Sequence, residues 1–143
     1  MAKVEKSILI NAPAEKIWTL STDPAKWHTW FDGASEAKSI TGDGGVGTVV
    51  EHGITVAKIP LPAKTTVVTF EPGICWKGEF TGPANKGYMQ WDYIQADGGT
   101  ELRFTIEAEL SGPAKLAEKM VISSFESMAE KTLQNVKQMA ETA

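Results

Sequence analysis

The chain has little of what most catalytic and assembly chemistries require. Among 143 residues there is one cysteine, Cys75, so no internal disulfide can form and the lone thiol fits a reducing compartment. The two histidines, His28 and His52, and that single thiol lack the paired spacing of a metal site, so neither a metal nor a cofactor is expected. Arg103 is the only arginine, the lysines are scattered, and the formal net charge is −4. A protein without a basic face has nothing to neutralise phosphates, which argues against nucleic acid as a partner. No run of residues approaches the roughly 18 apolar positions needed to span a bilayer. Met1 to Asn11 also lacks the charged segment and apolar core of a signal peptide. These absences point to a cytoplasmic location with no integral membrane segment.

What is present is an ordinary globular composition, 42% hydrophobic and 22% charged, on a length that suits one domain over residues 1–143. The exception is a dense set of five tryptophans, Trp18, Trp27, Trp30, Trp76 and Trp91. They suit either a packed core or the aromatic wall of a ligand cavity.

Periodicity divides the chain. Val4, Ile8 and Ile10 share one parity and predict a first strand over Lys3 to Ile10, stopped by Asn11-Ala-Pro13. Pro13 suits the start of a short helix carrying Ile17, Trp18 and Leu20. Asp23-Pro24 repeats the device for a second, with Trp27 about one turn on. Turn signals at Gly42-Asp-Gly-Gly45, Pro60-Leu-Pro62, Pro72-Gly73, Gly82-Pro83 and Asp97-Gly98-Gly99 then delimit strands near 35–41, 47–58, 64–71, 74–81, 87–96 and 100–110. That makes seven strands, too closely spaced for helical crossovers, so the sheet is expected to be antiparallel.

With Asp97-Gly98 as a two-residue loop, Leu102 faces Tyr93, Phe104 faces Trp91 and Ile106 faces Met89, all apolar and all on one face. A bulge at Gly99 would instead turn Tyr88, Gln90 and Asp92 to that face. Pro113 opens a final helix expected to run unbroken to about Met139. Leu116, Met120, Val121, Phe125, Met128, Val136 and Met139 recur on it at three- and four-residue steps. The expected architecture is α+β: a curved antiparallel sheet around one long C-terminal helix.

Several stretches resemble a known family. Ile8-Leu-Ile-Asn-Ala-Pro13-Ala-Glu-Lys-Ile-Trp18, followed by Asp23-Pro24 and Trp30-Phe31, is similar to the opening of the bacterial polyketide cyclase/dehydrase and lipid-transport branch of the START-like (SRPBCC) superfamily. Gly42-Asp-Gly-Gly-Val-Gly47-Thr48 resembles the glycine-rich loop of the birch pollen allergen branch, and Asp97-Gly-Gly-Thr100 is a third match. The resemblance covers essentially the whole chain. It implies the helix-grip fold, with an apolar cavity between the sheet and the C-terminal helix. On that basis the walls are expected to be Trp76, Phe80, Met89, Trp91, Tyr93, Phe104 and Ile106. Met120, Val121, Ser124, Phe125 and Met128 are expected to form a helical lid. Gly78, between Trp76 and Phe80 on the inward face, leaves room for a further group.

Few residues of the chain are patterned for chemistry. The glycine-rich loop lacks the Gly-Lys-Ser/Thr ending of a phosphate-binding loop and links two strands, so a tight hairpin explains it better. Cys75 has the parity opposite to Trp76 and points outward, with no base evident beside it. His52 shares parity with Thr48, Val50, Ile54 and Val56, which makes it the candidate general acid or base. Arg103, Glu79 and Asp92 would join it only in another strand register. Three functions fit: a carrier of a small hydrophobic ligand (a lipid, polyketide or aromatic molecule), a cyclase or dehydratase using His52, or a protein-interaction module of the chaperone-ATPase-activator or ribosome-binding type. Cavity polarity separates them. A convergent acid–base pair marks the enzyme, and a collapsed core marks the interaction module.

Overall fold

The computed structural model describes residues 2–83 and 85–143. Its seven strands are β1 (Ala2–Ile10), β2 (Ser39–Thr41), β3 (Val49–Val56), β4 (Ile59–Glu71), β5 (Cys75–Thr81), β6 (Asn85–Ala96) and β7 (Gly99–Leu110). They form one sheet in the order β1-β7-β6-β5-β4-β3-β2, every neighbour pair antiparallel. Two short helices follow β1: α1 (Ala14–Ser21) and a 3-10 helix (Pro24–Thr29) whose first turn is capped by Asp23, accepting from the Ala25 N–H at 3.0 Å. The C-terminal segment is α2 (Pro113–Leu116) and α3 (Glu118–Thr142).

The β6–β7 hairpin has the expected register: Met89 opposes Ile106, Trp91 opposes Phe104 and Tyr93 opposes Leu102, with Ala96 paired to Gly99. The bulge at Gly99 does not form, so Tyr88, Gln90, Asp92 and Arg103 keep to the outer face. Between β2 and β3, Gly42, Gly44 and Gly47 all take positive φ, which makes the glycine-rich stretch a backbone device.

Three expectations need correction. The Pro60-Leu-Pro62 turn is not a turn; both prolines lie inside β4, opposite Thr55 and Gly53. Pairing between β4 and β5 begins only at Lys64, so among the described residues the proline stretch of β4 has no strand partner on that side, where prolines without N–H groups are tolerated. The reversal falls instead at Ala57-Lys58, with φ of 51° and 67°. Two successive positive φ values are the mark of a type I′ hairpin turn, made here without glycine or asparagine, which hides it from composition. The 35–41 strand shrinks to the three residues of β2. The final helix is broken at Ala117, which leaves Leu116 and Met120 93% and 62% exposed. The apolar stripe that does face the sheet is Val121, Phe125, Met128, Ala129, Leu133, Val136 and Ala140.

The sheet gains its concavity from a bulge. The β4–β5 register shifts between Val67 and Thr69, so Val68 is an extra residue and the inward parity changes from Val67 to Phe70. Gly78 serves the same face. A Cβ there would stand 2.6 Å from Trp76 Cη2 and 2.7 Å from Thr65 Cγ2. The room it leaves is therefore filled by the Trp76 indole of its own strand. Gly78→Ala should destabilise the fold by about 1–3 kcal/mol through overpacking and change tryptophan emission. Denaturant unfolding checks this, and a change below about 0.5 kcal/mol, ordinary for an unconstrained surface site, would show the indole is not held there.

Candidate functional site

The concave face is paved with rings. Trp91 and Phe104, cross-strand partners, stack with centroids 4.2 Å apart and planes at 29°. Phe31 meets both edge-on, at 6.3 and 5.9 Å, and Trp30 meets Trp91 edge-on at 5.7 Å. Trp27 stands edge-on to Trp76 at 5.3 Å and to His52 at 5.9 Å. Trp18 closes the far end against Phe70 and Tyr93. The 3-10 helix is what delivers Trp27 and Trp30: with three residues per turn, positions three apart fall on one side. The sequence offers all five tryptophans as cavity aromatics and places Trp27 on a short helix, but assigns neither Trp27 nor Trp30, nor Phe31, to the wall. Their three-residue spacing after the Asp23-Pro24 cap was the signal.

Two small voids of about 10 Å³ each remain over the sheet, one against α3 and one under the Trp27–Phe31 segment, room for about one water apiece. One lies among His52, Thr65, Phe80, Met89, Ile106 and Phe125. The other lies among Ser21, Trp27, Trp30, Trp76, Met89 and Trp91. Met89 borders both. A much larger hollow, about 830 Å³, is an open depression between Asn11–Glu15 and the β6–β7 turn. Of the expected wall residues only Tyr93 reaches it.

Of the expected wall and lid residues, Phe80, Met89, Ile106 and Phe125 border the first void and Trp76, Met89 and Trp91 the second, while Tyr93, Phe104, Val121 and Met128 border neither. Trp76, Phe80, Met89, Trp91, Tyr93, Phe104 and Ile106 are all buried on the concave face, with Val121, Phe125 and Met128 above them. Two lid residues depart. Met120 points to solvent because the break at Ala117 starts the helix afresh. Ser124 holds the β3–β4 turn, its hydroxyl accepting from the Ala57 N–H at 2.9 Å. That contact anchors the strained turn to α3.

His52 is buried inside, as its parity predicts. Its Nδ1 lies 3.3 Å from the Gly53 carbonyl, which can only accept, so the proton of that contact sits on Nδ1. Nε2 is then free to accept from the Thr65 hydroxyl at 2.9 Å. Burial holds its pKa below the ordinary histidine value, partly opposed by the bond to Gly53, so the ring is neutral at neutral pH. Nearby, the Ser21 hydroxyl reaches the Ile17 carbonyl at 2.7 Å and the Tyr93 hydroxyl at 2.8 Å. A carbonyl cannot donate, so Ser21 gives its proton to Ile17 and Tyr93 donates to Ser21. Burial drives the Tyr93 pKa up, keeping the phenol protonated. Cys75 lies on the other face opposite Asp92, and burial together with that carboxylate pushes its thiol up to about 11, which removes it as a nucleophile. Arg103 pairs with Glu101 at 3.0 Å on the same outer face.

Among the described residues no group of three or more histidine, cysteine, aspartate or glutamate side chains is placed to hold a metal ion. No helix among them is long and apolar enough to cross a membrane.

Solved structures share this architecture. The ZhuI aromatase/cyclase from Streptomyces sp. R1128 superposes with a TM-score of 0.81 at 20% identity, covering 97% of this chain and 93% of that one. Ara h 8.0201 gives 0.75 at 13% identity over 99% and 98%. A START superfamily protein from Mycobacterium smegmatis gives 0.73 at 16% identity over 97% and 99%. At such identities the likeness establishes the helix-grip fold. The family described as polyketide cyclase / dehydrase and lipid transport matches residues 1–141, and the chain belongs to that family.

Proposed function

We propose that this protein binds a small, neutral, hydrophobic molecule of lipid, polyketide or aromatic type between the sheet and α3. The observation that carries the reading is the position of Met89. One flexible thioether borders both voids, whose lining is mostly apolar and aromatic, with His52, Thr65, Asn85 and Ser21 as its polar members, and a change of its rotamer would merge them. No aspartate, glutamate, lysine or arginine borders either void, which selects against a charged guest.

Size adds a condition. A drug-sized ligand occupies roughly 300 Å³ or more, far beyond the present voids, so a wall must move. The strands are held by backbone ladders, interrupted on this face only by the bulge at Val68. The 3-10 helix has weaker hydrogen-bond geometry, and the residues just after it are tied to α3 through the Asp32 N–H to Thr132 Oγ1 at 3.0 Å and the Asn135 amide to the Trp30 carbonyl at 3.0 Å. This segment, with Trp27 and Trp30, is the wall that yields.

One observation favours a second reading, a cyclase or dehydratase: the neutral His52 beside Thr65 borders the first void. Its Nε2 lone pair could take a proton from a bound ligand if Thr65 turned away. The aromatase/cyclase among the structural neighbours supports this direction without assigning the residue.

Met89→Ala tests the binding reading. Removing the partition should cost about 2–5 kcal/mol of stability and tighten binding of the neutral fluorescent probe N-phenyl-1-naphthylamine, followed by titration. If wild type and a folded variant both fail to bind it, the chamber reading is wrong.

Histidine burial gives a pH signature. The folded pKa of His52 lies below its unfolded value, so its neutral form contributes stability above the unfolded pKa of about 6.5. That contribution is lost as pH falls from there toward the lowered folded pKa. Unfolding free energy should therefore drop between pH 7.5 and 5.5, and His52→Asn should flatten the drop. An unchanged slope in the variant would mean that His52 is not the group responsible.

A further inference from the structure

Resting on that reading, we infer that the ligand carries a neutral hydrogen-bond acceptor, a ketone, quinone or ester oxygen, and that the indole N–H groups of Trp30 and Trp76 select it. Both rings are 3% exposed, and both Nε1 atoms are buried without a partner among the described residues. An indole nitrogen can only donate. A buried donor left unpaired is costly enough that natural interiors rarely keep one, let alone two on rings that border one void. Trp30 and Trp76 line the same void: one follows the 3-10 helix, the other lies in β5.

The remaining polar groups at this void determine its sign. The Ser21 proton is committed to the Ile17 carbonyl and the Tyr93 proton to Ser21. The void is therefore bordered by two rings whose donors are unsatisfied and by no free side-chain donor or charge to compete with them. An acceptor oxygen satisfies it and a pure hydrocarbon does not. A carboxylate would enter with no cation to meet it, so the acceptor is neutral. A site built around hydrogen-bond donors discriminates strongly against a guest that leaves them unpaired.

A matched pair of probes tests this, 9-fluorenone against fluorene, which differ by one carbonyl oxygen. Hydrophobicity alone favours fluorene. The inference predicts that fluorenone binds tighter by roughly five- to tenfold or more, the worth of a buried donor satisfied. In 1H–15N spectra of the wild-type protein, the Trp30 and Trp76 indole N–H signals should move with fluorenone and much less with fluorene. Trp76→Phe and Trp30→Phe keep a ring and remove a donor, and one or both should abolish the preference. If fluorene binds as well as fluorenone and the indole signals respond alike, the donors are met by water or by nothing. The inference then fails while the chamber stands. If neither probe binds the folded wild-type protein, both the inference and the binding reading fall.

Discussion

The stack of Trp91 on Phe104 is the contact on which the rest of the interior depends. The two residues are cross-strand partners, so the ladder that pairs β6 with β7 also fixes the rings face to face at 4.2 Å. Phe31 and Trp30 then meet a prebuilt aromatic surface edge-on, the arrangement their quadrupoles favour. That contact seats the 3-10 helix in the concavity, and the seated helix brings Trp27 against Trp76 and His52. A sheet bent by the Val68 bulge would otherwise leave an open trough under α3.

Magnitudes limit how such an interior opens. Each buried aromatic removes roughly 150–250 Å² from water. At about 25 cal/mol per Å², exposing Trp27, Trp30 and Phe31 together would cost on the order of 10–20 kcal/mol, as much as a whole domain's stability. The segment cannot swing out empty. A guest has to take over the contacts the rings give up, so entry is a replacement of ring by ligand with a small displacement of the wall. The unpaired indole donors fit this picture, because they are a cost of the closed state that an oxygen-bearing guest removes.

Much of this was legible beforehand. The alternation Leu102, Phe104, Ile106 against Tyr93, Trp91, Met89 fixes register, because a one-residue slip would turn polar groups inward. The inward parity of His52 followed from the same rule. Other features depend on tertiary structure and leave no local mark. Ala57-Lys58 adopts a turn their residue types disfavour because Ser124, 67 positions away, holds the Ala57 amide. The break at Ala117 interrupts a stripe whose periodicity is unbroken, so Met120 read as lid and stands in solvent. Gly78 read as space for a ligand, and the nearest candidate to fill it was Trp76, two residues earlier on the same strand. Trp27 and Trp30 escaped notice as site residues because a six-residue helix offers too little periodicity to show which way it faces.

The structure of the complex with N-phenyl-1-naphthylamine tests the central claim most directly. The account predicts the probe between β5–β6 and α3, with Met89 in a new rotamer, the two voids merged, and Trp27 and Trp30 displaced while Trp91 stays stacked on Phe104. A probe lodged in the open depression beside Asn11–Glu15, above an interior unchanged in every ring, would contradict it.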